Sequence, residues 1–306
     1  MDTNKTWNSH SGPLLDSING FDVIVCQTCG FTHVIPVPSP EDLERIYRDE
    51  YYSKHKPSYI ADIQEDLDWW NLVYQERYEL LEGHLTPGRR RILDVGCGPG
   101  YFLLHGKQRG WLGLGLEPSA EAAAHAQSLE LDVVQGSLSP NTVHRLGSFD
   151  GVHMSEVLEL VPDPAASLRL VRSLLDPGGL LCLVVGNNYS PFQSALRPAC
   201  GFPPWWVQPP VHINYFNFET AERLIVSCGY EILYIEANFP IELFLLMGDN
   251  YLCNPTLGRQ CHQKRVRLEK NLLAAGMGGL KRQLYQALAR CGIGRQALIV
   301  AKRTPV

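Results

Sequence analysis

The chain has 306 residues, 45% of them hydrophobic and 19% charged, with a formal net charge of −5. That length can bury a full core, and the composition is ordinary for a globular protein built as one large domain with appendages. The negative balance argues against a general nucleic-acid binder. No uncharged apolar run approaches the ~20 residues of a spanning helix. Residues 1–20 lack the apolar core of an export signal, and nine cysteines without a disulfide framework suit a reducing compartment, so a cytoplasmic protein is expected.

Residues 1–60 read as a small separate unit. Phe21 to Val25 alternate weakly as a strand, Cys26-Gln27-Thr28-Cys29-Gly30 makes a knuckle, and Phe31 to Ile35 return. Pro36, Pro38 and Pro40 then stiffen a linker. Glu41 to Tyr52 has helical spacing with Leu43, Ile46 and Tyr47 on one face. A longer helix is expected from Asp62 through Leu81, closing before Pro87-Gly88. Residues 61–190 alternate strands and helices. Strands fall at 91–96, 111–117, 132–136, 149–155 and 180–186, with helical composition at Ala120–Leu129 and Pro164–Leu175. This rhythm implies an α/β fold, a doubly wound parallel sheet with helices on both faces. Residues 191–306 hold two more strands, at 230–237 and 297–303. Tyr189 to Phe218 is rich in proline and aromatics, and Phe239 to Gly294 is mostly helical. Insertions of this kind are where substrate specificity is expected.

The most informative stretch is Ile92-Leu93-Asp94-Val95-Gly96-Cys97-Gly98-Pro99-Gly100. A short apolar strand runs into a turn with glycine at alternate positions, which lets backbone approach a nucleoside-bearing ligand. A dinucleotide fingerprint would place glycine at position 101, where this chain has Tyr101. Asp94 would repel a pyrophosphate and suits a ligand carrying an ammonium and a sulfonium. Glu117 follows Gly96 by 21 residues, close to the ~20-residue interval of a ribose-binding acid.

With these residues the chain resembles the class I S-adenosylmethionine-dependent methyltransferases. Asp94 to Gly100 looks like the family's first motif and Trp111 to Ser119 like its second. Phe149 to Glu159 resembles the fourth strand and the helix start after it, and Leu174 to Leu180 the turn before the fifth. The resemblance implies a seven-stranded sheet with an antiparallel edge and S-adenosylmethionine as cofactor. It places Asp94, Gly96, Gly98 and Gly100 in the cofactor loop and gives both ribose hydroxyls to Glu117. Pro118, Ser137 and Leu138 would border the adenine, and Met154 and Ser155 would face the methionine portion. The helix around Tyr47–Tyr52 would fold over the cofactor as a lid, with Tyr52 a contact.

Methyl transfer from a sulfonium needs alignment, plus a base when the nucleophile is a hydroxyl. The leading base is His212, in Pro209-Pro210-Val211-His212-Ile213-Asn214-Tyr215-Phe216, against the alternative of a histidine that anchors its loop. Relatives commonly read Leu-Glu-His after strand four, where this chain has Leu158-Glu159-Leu160. Glu159 is retained and would orient His212 or a substrate, or cap local backbone. Asn187 and Asn188, past strand five, are either ligand contacts or turn residues. Trp205-Trp206 and the aromatics at 215–218 form either a pocket wall or lid core.

Cys26-x-x-Cys29 invites a zinc reading, and many relatives carry two such pairs here. The upstream pair is missing, and only His10 and His33 could complete a tetrahedral site. A metal-free knuckle is therefore expected, with no metal assigned. Nine basic residues between Arg259 and Arg295 stand against the single acid Glu269. They form either solvated helical faces or a surface for a phosphorylated substrate.

The expected function is O-methylation of a small polar acceptor, a sugar or secondary-metabolite hydroxyl. Nucleic acid is not expected as a partner, and oligomeric state is left open. The alternatives are C-methylation of a nucleotide-linked keto sugar and an inactive cofactor-binding interaction subunit.

Overall fold

The structure, a computed structural model, describes residues 10–305. In chain order the strands are β1 (Leu14–Ile18), β2 (Phe21–Val25), β3 (Thr32–Ile35), β4 (Arg91–Val95), β5 (Leu112–Glu117), β6 (Asp132–Gln135), β7 (Phe149–Ser155), β8 (Leu175–Gly186), β9 (Asn214–Tyr215), β10 (Tyr230–Ala237) and β11 (Gln296–Arg303). Seven of them form one sheet in the order β10-β11-β8-β7-β4-β5-β6. The pairs β4–β5, β4–β7, β5–β6 and β7–β8 are parallel. The doubly wound, seven-stranded α/β architecture read from the sequence is thus present. The antiparallel strand is β11, however, and it lies between β8 and β10 instead of at the edge.

Both faces of the sheet are covered, which is why its strands read as near-continuous apolar runs. The strand pleat sends neighbouring residues to opposite layers. Ile92 and Leu180 pack with Tyr78, Leu81 and Phe102 from the helices Leu67–His84 and Tyr101–Gln108. Leu93 and Leu181 pack with Leu168, Val171 and Ile225 from the helices Pro164–Leu174 and Phe218–Ser227. From β4 the chain runs outward through β5 and β6, then returns to β7 on the other side of β4. That reversal opens a crevice beyond the carboxyl ends of β4 and β7, where open α/β sheets bind ligands.

A second, four-stranded antiparallel sheet has the order β1-β2-β3-β9. The amino-terminal hairpins therefore do not stand apart, because their fourth strand comes from the segment after β8. This sheet packs on Leu43, Trp206, Val207 and Ile213. Trp205 and Trp206 accordingly belong to the core of this layer and do not line the large cavity described below.

Two helical stretches depart from the sequence reading. The helix expected at Glu41–Tyr52 is a short α-helix, Pro40–Arg45, followed by a π-helical segment, Ile46–His55. The wider π turn brings Tyr47, Tyr51 and Tyr52 toward one cavity. The helix expected at Asp62–Leu81 is two, Tyr59–Glu65 and Leu67–His84, broken at Asp66. Tertiary bonding holds that break, since the Asp66 carboxylate takes hydrogen bonds from Arg259, His262 and Gln263.

The same contacts correct the reading of the basic run. Four of its nine residues dock the helices Pro255–Ala274 and Gly278–Arg290 to the helix pair 59–84. Arg259 pairs with Asp66 and Glu65, Lys281 with Glu76 at 2.6 Å, and Arg282 with Glu79 at 2.9 Å. Arg265 lies 4.7 Å over the Trp69 ring. The lone acid, Glu269, is buried and accepts from Trp69 Nε1 and Tyr285 Oη. Lys264, Arg267, Lys270 and Arg290 remain exposed, as solvated helical faces would be. No helix among the described residues is long and apolar enough to cross a membrane.

Candidate active site

The glycine loop turns sharply because Gly96, Gly98 and Gly100 all adopt positive φ, at 70°, 52° and 87°. Side chains rarely take this conformation. The loop is anchored to the next strand by Gly96 and Cys97 N–H groups donating to the Leu116 carbonyl. Glu117 then rises at the end of β5. Its Oε2 accepts from the Gly98 N–H and its Oε1 from the Ser119 N–H, each at 2.9 Å. Each carboxylate oxygen keeps a lone pair for a further donor. Burial pushes the Glu117 pKa up to about 7 and Asp94 adds to this, while the Ser119 and Gly98 N–H groups oppose.

Loop and carboxylate border a cavity of about 670 Å³, a volume suited to a nucleoside-sized ligand with room beyond it. Pro118, Ser137, Leu138 and Ser155 line it as expected from the sequence. Tyr52 also lines it, and a Cβ added to Gly98 would lie 3.1 Å from the Tyr52 hydroxyl, so this side chain rests on the loop. Asp94 is 2% exposed and lines the cavity, with Oδ1 2.6 Å from His153 Nδ1. Arg77 donates to His153 Nε2 at 3.1 Å, which leaves the Nδ1 proton to bond Asp94. His153 stacks on Phe102 at 3.8 Å, and burial lowers its pKa, so a neutral imidazole separates the two charges.

This arrangement fits the expected cofactor. Glu117 could accept from vicinal ribose hydroxyls. Asp94 and Arg77, both lining one end, offer opposite charges to the ammonium and carboxylate of an amino-acid tail. Sequence reading missed Arg77. A signal was present, because it interrupts the apolar stripe Tyr74, Tyr78, Leu81 at helical spacing.

Several expected site residues lie elsewhere. Met154 is fully buried in the sheet's other packing layer, because the pleat turns its side chain away from the face that His153 and Ser155 present. Gly100 does not line the cavity. A Cβ there would lie 2.7 Å from Ala126 and Leu131, so this glycine serves close packing beneath the loop. Glu159 is 1% exposed and also absent from the cavity wall. Its Oε1 accepts from the Gly186 N–H, and its buried Oε2 has no partner. Burial pushes its pKa up to about 8, with Glu156 adding and the Gly186 N–H and Arg295 opposing. Asn187 ties the chain before β11 through Gly292 and Gly294 carbonyls, and so serves the backbone.

His212 is half-buried and outside the cavity wall. The Glu159 carbonyl accepts from the Ile213 and Asn214 N–H groups, and Asn214 Nδ2 donates to the Leu158 and Val161 carbonyls. These bonds staple the His212 loop to the turn after β7, beside Glu156. Burial depresses the His212 pKa, Glu156 pulls it back, and Arg295 and Lys56 depress it further. Glu156 does line the cavity, at a positive φ of 56° that is strained for a non-glycine residue. Sequence reading passed over it, although it immediately follows strand four at the sheet's ligand-binding edge. Leu160, where relatives commonly have histidine, also lines the cavity, as do Tyr47 and Tyr51.

Comparison with known proteins bears on the family and the fold. A family model described as a methyltransferase domain matches residues 67–235, more than half of the chain. A ubiquinone biosynthesis O-methyltransferase of Xanthomonas axonopodis pv. citri is 39% identical over 121 residues, covering 37% of this chain and 49% of that one. A protein of the same name from Nitrosococcus oceani is 38% identical over 110 residues, covering 34% and 46%. The chain thus spans about half the length of the curated relatives it matches. Among solved structures, a SAM-dependent methyltransferase from Archaeoglobus fulgidus aligns with a TM-score of 0.50 at 19% identity, over 76% of this chain and 93% of that one. The plantazolicin methyltransferase BpumL, solved in complex with SAH, aligns with a TM-score of 0.50 at 13% identity, over 86% and 94%. At these identities the two structures speak to the fold alone.

Proposed function

We propose that this chain, which belongs to the class I S-adenosylmethionine-dependent methyltransferases, methylates an oxygen of a small polar acceptor. When bound, S-adenosylmethionine supplies an electrophilic methyl carbon on a sulfonium. The observation that carries the acceptor reading is the cavity wall, to which Tyr47, Tyr51, Glu156 and Leu160 contribute besides the loop and Glu117. The printed names of the relatives, O-methyltransferases, support oxygen as the nucleophile.

In this reading Arg77 and Asp94 hold the amino-acid end of the cofactor, Glu117 its ribose, and Pro118, Ser137 and Leu138 border its base. Glu156 receives the acceptor hydroxyl and takes its proton on the carboxylate as the methyl passes to the oxygen and the sulfonium becomes a neutral thioether, and His212, within electrostatic reach, positions Glu156. Glu159 acts at one remove, holding the His212 loop through its backbone carbonyl. Pairing of Arg259, Lys281 and Arg282 with Asp66, Glu65, Glu76 and Glu79 takes three cations of the basic run away from a nucleotide-linked acceptor.

The test follows S-adenosylhomocysteine production against small catechol, phenol, sugar and keto-sugar acceptors, with calorimetry of S-adenosylhomocysteine binding alongside. Glu156→Gln and His212→Ala should each lose at least about tenfold in kcat while cofactor affinity holds, a modest share of what a positioned base contributes. Unchanged turnover in both variants removes them from the mechanism. Turnover only on keto sugars, with a new carbon–carbon bond in the product, overturns the oxygen reading.

A further inference from the structure

The four residues His10, Cys26, Cys29 and His33 converge beside the small sheet and do not line the cavity. One ligand atom from each lies within 4.8 Å of all the others. His10 Nδ1 sits 3.5 Å from Cys26 Sγ, 3.2 Å from Cys29 Sγ and 3.3 Å from His33 Nε2. Hydrogen bonding alone does not account for three neighbours around one ring nitrogen, which offers a single proton or a single lone pair. A tetrahedron does. With Zn–S of about 2.3 Å and Zn–N of about 2.0–2.1 Å, its edges are about 3.6 Å for sulfur–nitrogen and about 3.3 Å for nitrogen–nitrogen.

The surroundings are those of a built site. The knuckle is closed by the Gly30 N–H donating to the Cys26 carbonyl at 2.9 Å and the Cys26 N–H donating to the Phe31 carbonyl at 3.1 Å. The Cys29 N–H points at Cys26 Sγ at 3.3 Å, a donor that stabilises thiolate charge. His33 is wholly buried, and its Nδ1 lies 2.9 Å from the Val34 carbonyl. Donation of that N–H fixes the tautomer whose Nε2 lone pair faces the cluster, the usual support for a metal-ligating histidine.

We propose that His10, Cys26, Cys29 and His33 form a closed, tetrahedral Cys2His2 structural zinc site. Binding forms two Zn–S and two Zn–N bonds and releases the two thiol protons to solvent, with no change of oxidation state. Four protein ligands leave no open position for catalysis. The ion instead ties residue 10 to the β2–β3 turn. His33 pairs in register with Asn214 of β9, so the site braces the strand that follows His212. This assignment stands independently of the acceptor chemistry.

The test measures zinc in the full chain, expressed with zinc and dialysed, by inductively coupled plasma mass spectrometry. About one zinc per chain is expected, with loss in Cys29→Ser and retention in the control Cys261→Ser, a buried cysteine elsewhere. Zinc well below stoichiometry after incubation with zinc chloride, or full retention in Cys29→Ser, overturns the site. Should Cys29→Ser fail to fold, cobalt substitution of the wild-type chain decides. The intense visible bands of tetrahedral Co2+ with thiolate charge transfer support the site, and a weak octahedral spectrum overturns it. Chelation of the loaded protein should lower its Tm while S-adenosylhomocysteine affinity holds, since the cofactor loop lies in the other sheet.

Discussion

Glu117 shows how one buried carboxylate couples cofactor binding to pH. Its pKa stands near 7 because desolvation outweighs two backbone donors. Ribose hydroxyls donate only to the ionised form with full strength, so affinity should rise with pH up to about 7 and level off above it. Calorimetric titration of S-adenosylhomocysteine from pH 5.5 to 8.5 should show this slope, and Glu117→Gln should flatten it and weaken binding at least tenfold. Glu159 gives a second titration with a different readout. Its pKa is raised from 4.5 to about 8 in the folded chain, so the native state holds a proton that the unfolded chain releases in that window. Stability from this group is fully present below pH 4.5 and is lost as pH rises through about 8. Glu159→Gln cannot ionise, so its Tm relative to wild type should climb between pH 5 and pH 8.5. A constant difference would mean that the carboxyl is ionised throughout.

Among elements, the glycine loop and the helix break at Asp66 illustrate opposite degrees of legibility. The loop is local chemistry. Three glycines, an aspartate and a carboxylate on the next strand announce themselves within about 25 residues, and the structure places Asp94, Gly98 and Glu117 around one cavity. Gly100→Ala should cost about 2–4 kcal/mol, from a positive φ plus a clash with Ala126 and Leu131, measurable by denaturant unfolding. The Asp66 break was not legible, because its partners Arg259 and His262 lie 193 and 196 residues away. Asp66→Ala leaves Arg259, His262 and Gln263 without their shared acceptor, partly exposed and so partly screened. A loss of about 1–2 kcal/mol is expected, together with faster proteolysis in 255–274. Met154 shows the intermediate case. Its strand was read correctly, but the side of the sheet facing the cavity depends on which layer the helices occupy, and strand periodicity alone does not fix that.

At the scale of the whole molecule, the cavity lies at the carboxyl edge of the large sheet, and residues from distant parts of the chain complete its walls. Tyr47, Tyr51 and Tyr52 come from the π-helical segment, Glu156 from the turn after β7 and Gln296 from the start of β11. That convergence explains why the donor half of the site was readable and the acceptor half was not. The donor half follows β4 and β5, whereas the proposed acceptor half exists only after these three segments assemble. Binding of S-adenosylhomocysteine should order the tyrosine segment against the loop, so hydrogen exchange across 46–58 should slow severalfold. Equal exchange with and without ligand would show that the segment is no lid.

The pairing of β3 with β9 also sets an order of events during synthesis. His33 and Asn214 are register partners across the interval 33–214. At about 5–20 residues per second a ribosome needs roughly 10–35 s to cover that distance. Through that time the β1–β3 hairpins carry an unsatisfied edge, the kind of surface on which strands from neighbouring chains can add. The large sheet waits in the same way, since β11 must insert between β8 and β10, both already made. Crowded polysomes are therefore the setting in which this topology is most exposed to intermolecular strand exchange, and a chaperone that masks β3 would act before residue 214 emerges.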